Sequence, residues 1–211
     1  MEKYISKKEK ASYGFAAVGS YMVAGITQSY LMYFFTDILI IPSAFVMMLM
    51  IVARAWDALN DPMMGVIVDR TSTKYGKMRP YVLIGSFLML VTTIVLFMPL
   101  TGAPTMFKMI FAAVSYIIFG MAYTLTDVPA MGLMSVATPN SDERASLLSF
   151  YVTVGSVGSL LPVGLLTIFQ SFIPEKYVYF AMSIFVGIIT SAAYLTLFKN
   201  SKERFSTHTE K

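Results

Sequence analysis

The chain has no cysteine, one histidine and one tryptophan in 211 residues. Without cysteine there is neither a disulfide scaffold nor a thiolate metal site. Charge is scarce too. Asp, Glu, Lys and Arg make up 13% of the chain, against about 25% in a soluble domain. That charge sits in short segments between long apolar runs; 56% of residues are hydrophobic and the mean hydropathy is +0.67. This excludes a water-soluble enzyme, a nucleic-acid-binding domain and a disordered chain. The net charge of +4 is explained by membrane topology rather than by nucleic acid. No linker, low-complexity tract or short-period repeat breaks the chain. The composition is that of an integral membrane protein.

A helix needs about 20 mostly apolar residues to cross a bilayer core. Six stretches qualify: 12–36, 43–68, 80–100, 106–137, 145–172 and 177–198. Runs such as Leu83 to Leu100 are apolar on every face, which excludes the alternating pattern of outer-membrane strands. The first stretch is too long for a cleaved signal peptide and has no small-residue cleavage site after it. Thirteen Lys and Arg residues fall on one side of the bilayer in this scheme, against Lys108 and Lys176 on the other. Positive charge stays cytoplasmic. The expectation is an all-α integral membrane bundle over 1–199, six transmembrane helices with both termini cytoplasmic, and a polar cytoplasmic tail over 200–211. His208 lies in that tail with no second ligand nearby and reads as an exposed residue.

Four ionisable residues fall inside the spans: Arg54, Asp57 and Asp61 in the second, Asp127 in the fourth. Unpaired at mid-membrane they would together cost on the order of 10 kcal/mol. Arg54, Asp57 and Asp61 stand at i, i+3 and i+7, one face of a helix. Two carboxylates four residues apart, with Asn60 beside them, offer several oxygens to a small hard cation such as sodium or lithium, or to a proton. Arg54 can partly neutralise the pair. An internal salt bridge that only holds helices together is the competing reading. Asp127 shares its face with Thr124 and Tyr123, an arrangement suited to a sugar, an amine or a cation. Pro62 and Pro129 each free a backbone carbonyl close by. Gly155, Ser156, Gly158 and Ser159 form a small-residue face in the fifth span, read as close helix packing. The loop from Asp69 to Pro80 reads either as positive-inside anchoring or as a charge network that clamps helix ends in one conformational state. Arg54, Asp69, Arg70, Lys77 and Arg79 are its candidates.

Asp57-Ala58-Leu59-Asn60-Asp61-Pro62, Gly65, Asp69-Arg70-Thr71, Gly76-Lys77 and Arg79-Pro80 together resemble the signature of the glycoside-pentoside-hexuronide:cation symporters of the major facilitator superfamily. Tyr13-Gly14-Phe15, Tyr30-Leu31-Met32-Tyr33, Thr126-Asp127-Val128-Pro129 and Lys202-Glu203-Arg204 resemble it as well. The resemblance implies a secondary transporter that carries a sugar or glycoside with a coupling cation (Na+, Li+ or H+) and needs no cofactor. It implies Asp57 and Asp61 as cation carboxylates, with Thr124 and Asn60 contributing. Asp127 would be a sugar-hydroxyl acceptor, with Tyr123 lining the sugar pocket and Tyr21 beside it. Members that carry galactosides have an aspartate where Tyr21 stands, an arginine at Val152 and a tryptophan at Met131. The cation motif is therefore intact while three sugar-contacting positions differ. The family has twelve spans, so the chain is expected to be an N-terminal half whose partners are the lipid bilayer and a C-terminal six-helix half.

Readings of other classes have little support. A channel would need polar residues in several spans, and the third and sixth offer almost none. An enzyme would need a nucleophile–base set or metal ligands, and no span contains histidine or cysteine. A non-transporting half or scaffold subunit that needs a partner remains the alternative.

Overall fold

The protein's structure, a computed structural model, describes residues 4–205. His208, Lys3 and Lys211 lie outside the described residues. Six α-helices follow one another: α1 (Lys7–Tyr33), α2 (Ser43–Arg70), α3 (Arg79–Leu96), α4 (Thr105–Ala137), α5 (Ser141–Gln170) and α6 (Glu175–Asn200). A π-helical turn, Phe34–Ile38, extends α1. Each helix overlaps one of the six apolar stretches.

The starts are written locally. The Ser6 hydroxyl accepts the Glu9 amide ahead of α1, and the Asn140 side chain accepts the Asp142 and Glu143 amides ahead of α5. Pro42, Pro104 and Pro174 precede α2, α4 and α6, where a fixed φ and a missing N–H suit a helix start.

α2 to α6 are long and apolar enough to cross a membrane. α1 has the length but is more polar, with Lys7, Lys8, Glu9 and Lys10 in its first turn and Ser12, Ser20, Thr27 and Gln28 beyond. Its position explains the tolerance. It packs mainly on α5 and α6, so much of its surface meets protein rather than lipid. The expected small-residue face does bring helices together. A Cβ on Gly158 would lie 2.8 Å from the Val18 carbonyl oxygen, so α1 and α5 touch backbone to backbone.

The remaining order is equally plain: α3 packs on α4 and α6, and α2 chiefly on α4. Two apolar clusters fill the bundle. One gathers Met22, Ile26, Phe34, Phe97, Phe119 and Met182; the other gathers Tyr13, Ala17, Leu133, Tyr151, Tyr194 and Leu197. Along α1 and α4 the switch between them falls at Ser20 and at Tyr123–Asp127, so a polar layer separates the clusters.

Lys108, expected as an interfacial charge, is instead 6% exposed, and its Nζ donates to the Leu39 carbonyl at 2.8 Å. It caps the end of the π-helical turn, where a cation meets orphan carbonyls. Ile40, just beyond, adopts a left-handed φ of 57°.

The residues after α6 are not a free tail as far as Phe205. The Glu203 carboxylate accepts the Lys77, Met78 and Arg79 amides at 2.8, 2.8 and 3.0 Å. Arg204 pairs with the buried Glu9 at 2.7 Å, and that hydrogen-bonded carboxylate holds its guanidinium above the usual value. The Arg204 and Phe205 amides both reach the Val136 carbonyl. This strap ties the start of α1, the start of α3 and the end of α4 to the end of α6.

Candidate functional site

A cavity of about 460 Å³ opens between α1, α2 and α4. Arg54, Asp57 and Asp61 line it from α2, and Tyr116, Gly120, Tyr123, Thr124 and Asp127 from α4. The i, i+3, i+7 spacing on α2 therefore does place the three charged groups on one wall. Opposite them the α4 residues recur at similar helical spacing, which turns the two stripes toward each other.

Asp61 Oδ1 accepts the Thr124 hydroxyl at 2.8 Å, a bond that joins α2 to α4. Asp57 faces Gly120, where a Cβ would lie 3.2 Å from its Oδ1. A larger residue at 120 would crowd this carboxylate. Pro62 removes the amide that would serve the Ala58 carbonyl, one turn back between the two aspartates. Arg54 lines the same cavity, yet among the described residues it makes no ion pair with either aspartate.

Asp127 lies one level away. Its Oδ1 accepts the Ser20 hydroxyl of α1 at 2.8 Å and the Tyr194 hydroxyl of α6 at 3.4 Å. Ser20 also pairs with the Tyr123 hydroxyl at 3.2 Å. The carboxylate is thus oriented by neutral hydroxyls from two other helices, and it still borders the cavity. Ser20 was not singled out by the sequence. Its signal was a hydroxyl inside a span, adjacent to Tyr21.

The remaining expected site residues are placed differently. Tyr21 does not line the cavity. Its ring lies over Gly155 of α5, where a Cβ would meet it at 2.7 Å, and edge-on to Tyr151. Asn60 is half-buried on α2, also outside the cavity lining. Asp69 and Arg70 are exposed at the end of α2 and have no ion pair among the described residues. Lys77 and Arg79 are engaged through their backbone amides by Glu203. The Arg79 guanidinium donates to the Phe198 carbonyl at 2.7 Å and lies 4.9 Å from that residue's ring centre.

Comparison with known proteins agrees with this architecture. The sequence profile of the family described as MFS/sugar transport protein matches residues 12–211. The chain is 34% identical over 208 residues to the uncharacterized symporter YjmB of Bacillus subtilis, covering 96% of this chain and 45% of that protein. It is 35% identical over 161 residues to the inner membrane symporter YicJ of Escherichia coli, covering 74% of this chain and 34% of that one. It is 28% identical over 204 residues to the isoprimeverose transporter of Lactiplantibacillus pentosus, covering 94% and 42%. The chain spans less than half the length of each of these curated relatives. Five apolar helices of spanning length and this kinship make it a multi-pass membrane protein. The chain belongs to the MFS/sugar transport protein family, in the kinship of cation symporters that its Asp-Ala-x-x-Asp-Pro string resembles.

Proposed function

We propose that this chain is the N-terminal, cation-binding half of a twelve-helix sugar symporter, with both termini cytoplasmic. One observation carries the reading: the α2 carboxylates Asp57 and Asp61 face α4 across one cavity, with Thr124 bonded to Asp61 and Asp127 on the same wall. Two carboxylates and a hydroxyl share this cavity, where a monovalent cation, sodium, lithium or a proton, would offset part of their negative charge. Asn60, the further cation ligand expected from the sequence, stands on α2 outside the cavity lining and is the weakest member of the set.

The cation binds at Asp57 and Asp61 and removes the repulsion between them. That draws α2 toward α4 through the Asp61–Thr124 bond and sets the height of Asp127, three residues beyond Thr124. The second oxygen of Asp127 then accepts a sugar hydroxyl. With both ligands in place the two halves rock about the site. Each ligand tightens the other by the same coupling free energy, typically about 1–3 kcal/mol. The clamp of Lys77 and Arg79 by Glu203 keeps the cytoplasmic ends of α3 and α6 in register during the motion.

The isoprimeverose transporter among the relatives makes isoprimeverose the first sugar to test. Uptake by vesicles that contain the complete gene product is measured under an imposed sodium, lithium or proton gradient. Gradient-stimulated uptake, lost in D57N and D61N, is the expected result. Uptake equally stimulated in D57N and D61N would contradict the cation assignment.

A further inference from the structure

Sorting the polar side chains of the cavity by what already holds them leaves three without a task. Asp61 takes the Thr124 hydroxyl, Asp127 takes Ser20 and Tyr194, and the Tyr123 hydroxyl is paired with Ser20. Thr27 returns its hydroxyl to the Val23 and Ala24 carbonyls of its own helix. Arg54 and Asp57 are the charged groups of the cation site. Gln28, Trp56 and Tyr116 remain. All three line the cavity, one each from α1, α2 and α4. Among the described residues their amide, indole N–H and phenol are without hydrogen-bond partners, and none is a buried orphan. Trp56 is the chain's one tryptophan and is 37% exposed beside Asp57.

The chemistry of the trio is complementary to a sugar ring. An aromatic face carries negative charge density and meets the weakly positive C–H face of a pyranose. A carboxamide and a phenol each donate and accept, as hydroxyl groups require. All three are neutral, so they can hold a sugar without competing for the cation.

We propose that Gln28, Trp56 and Tyr116 are the sugar-contacting, specificity-determining residues of this half: Trp56 stacks on the ring face, and Gln28 and Tyr116 bond its hydroxyls. The assignment rests on the symporter reading. It moves sugar recognition away from Tyr21, which is packed against α5, to residues that line the cavity.

The test uses the complete gene product in proteoliposomes with radiolabelled isoprimeverose, melibiose and methyl β-D-glucuronide, under sodium, lithium or proton gradients. For any probe the parent takes up, W56A raises the half-saturating sugar concentration about tenfold, and the half-saturating cation concentration changes less than about twofold. W56F restores most of the sugar affinity, and Q28A with Y116F alters the preference among the three probes. Unchanged sugar kinetics in W56A and Q28A would overturn the assignment and leave the symporter reading standing. Sugar and cation constants that shift together in W56A and are not rescued by W56F would mark Trp56 as packing, and would overturn it too. No uptake of any probe by the well-expressed parent would overturn the symporter reading, and the assignment with it.

Discussion

Thr124 has the clearest single role in the site, because its hydroxyl is the bond between the α2 carboxylates and α4. In T124A the half-saturating cation concentration rises about tenfold to a hundredfold, the value of one hydrogen bond to a charged group, as read from cation-dependent uptake. Ser20 acts on the other carboxylate. S20A takes from Asp127 its 2.8 Å donor and loosens Tyr123 with it, so sugar affinity falls more than cation affinity. Equal losses in both would contradict the division of labour between the two aspartates. The charged members of the site were legible in the sequence, since carboxylates inside apolar spans stand out by their cost. Of the neutral groups, Thr124 and Tyr123 were legible beside Asp127, and the others were not. Gln28, Tyr116 and Ser20 look like ordinary polar punctuation until three helices converge, and nothing in spacing along one chain reports that Tyr21 turns toward Gly155 instead.

At the scale of elements, the hydrophobic runs foretold the helices, but the tolerance of α1 for polarity is a property of its neighbours. The strap after α6 was equally hidden. Lys202-Glu203-Arg204 falls in the polar tail of the sequence reading, matched there only by family resemblance, yet Glu203 is held by three backbone amides and Arg204 by Glu9. Gly76 completes this joint. Its φ of 106° favours glycine, and a Cβ there would run into the Glu203 carboxylate. G76A therefore costs at least about 1 kcal/mol. E203A, which strips the acceptor from three amides, costs about 2 kcal/mol or more, and E203Q costs less because a neutral amide oxygen still accepts. Thermal unfolding of the detergent-purified protein checks the order: E203Q falls less than E203A. Melting temperatures of E203A and the parent within error would mean that the strap contributes nothing to stability.

For the whole molecule, the proposed function rests on one feature: a cavity in which the proposed cation groups of α2 and sugar groups of α1, α2 and α4 share the walls. Asp61 of α2 is joined to Asp127 through α4, because the Thr124 hydroxyl that it accepts stands three residues before Asp127. A cation that pulls on Thr124 must act on the level of Asp127, and a sugar must act back by the same free energy. The coupling is therefore expected to be thermodynamic, visible in binding as well as in transport.

The direct test is the affinity of the complete gene product for its transported sugar, measured by equilibrium binding with and without saturating cation, in the parent and in D61N. The account predicts that the cation tightens sugar binding by about fivefold or more in the parent, and that D61N binds the sugar with no response to cation. A parent whose sugar affinity ignores sodium, lithium and pH, or a D61N variant that responds as the parent does, would contradict it.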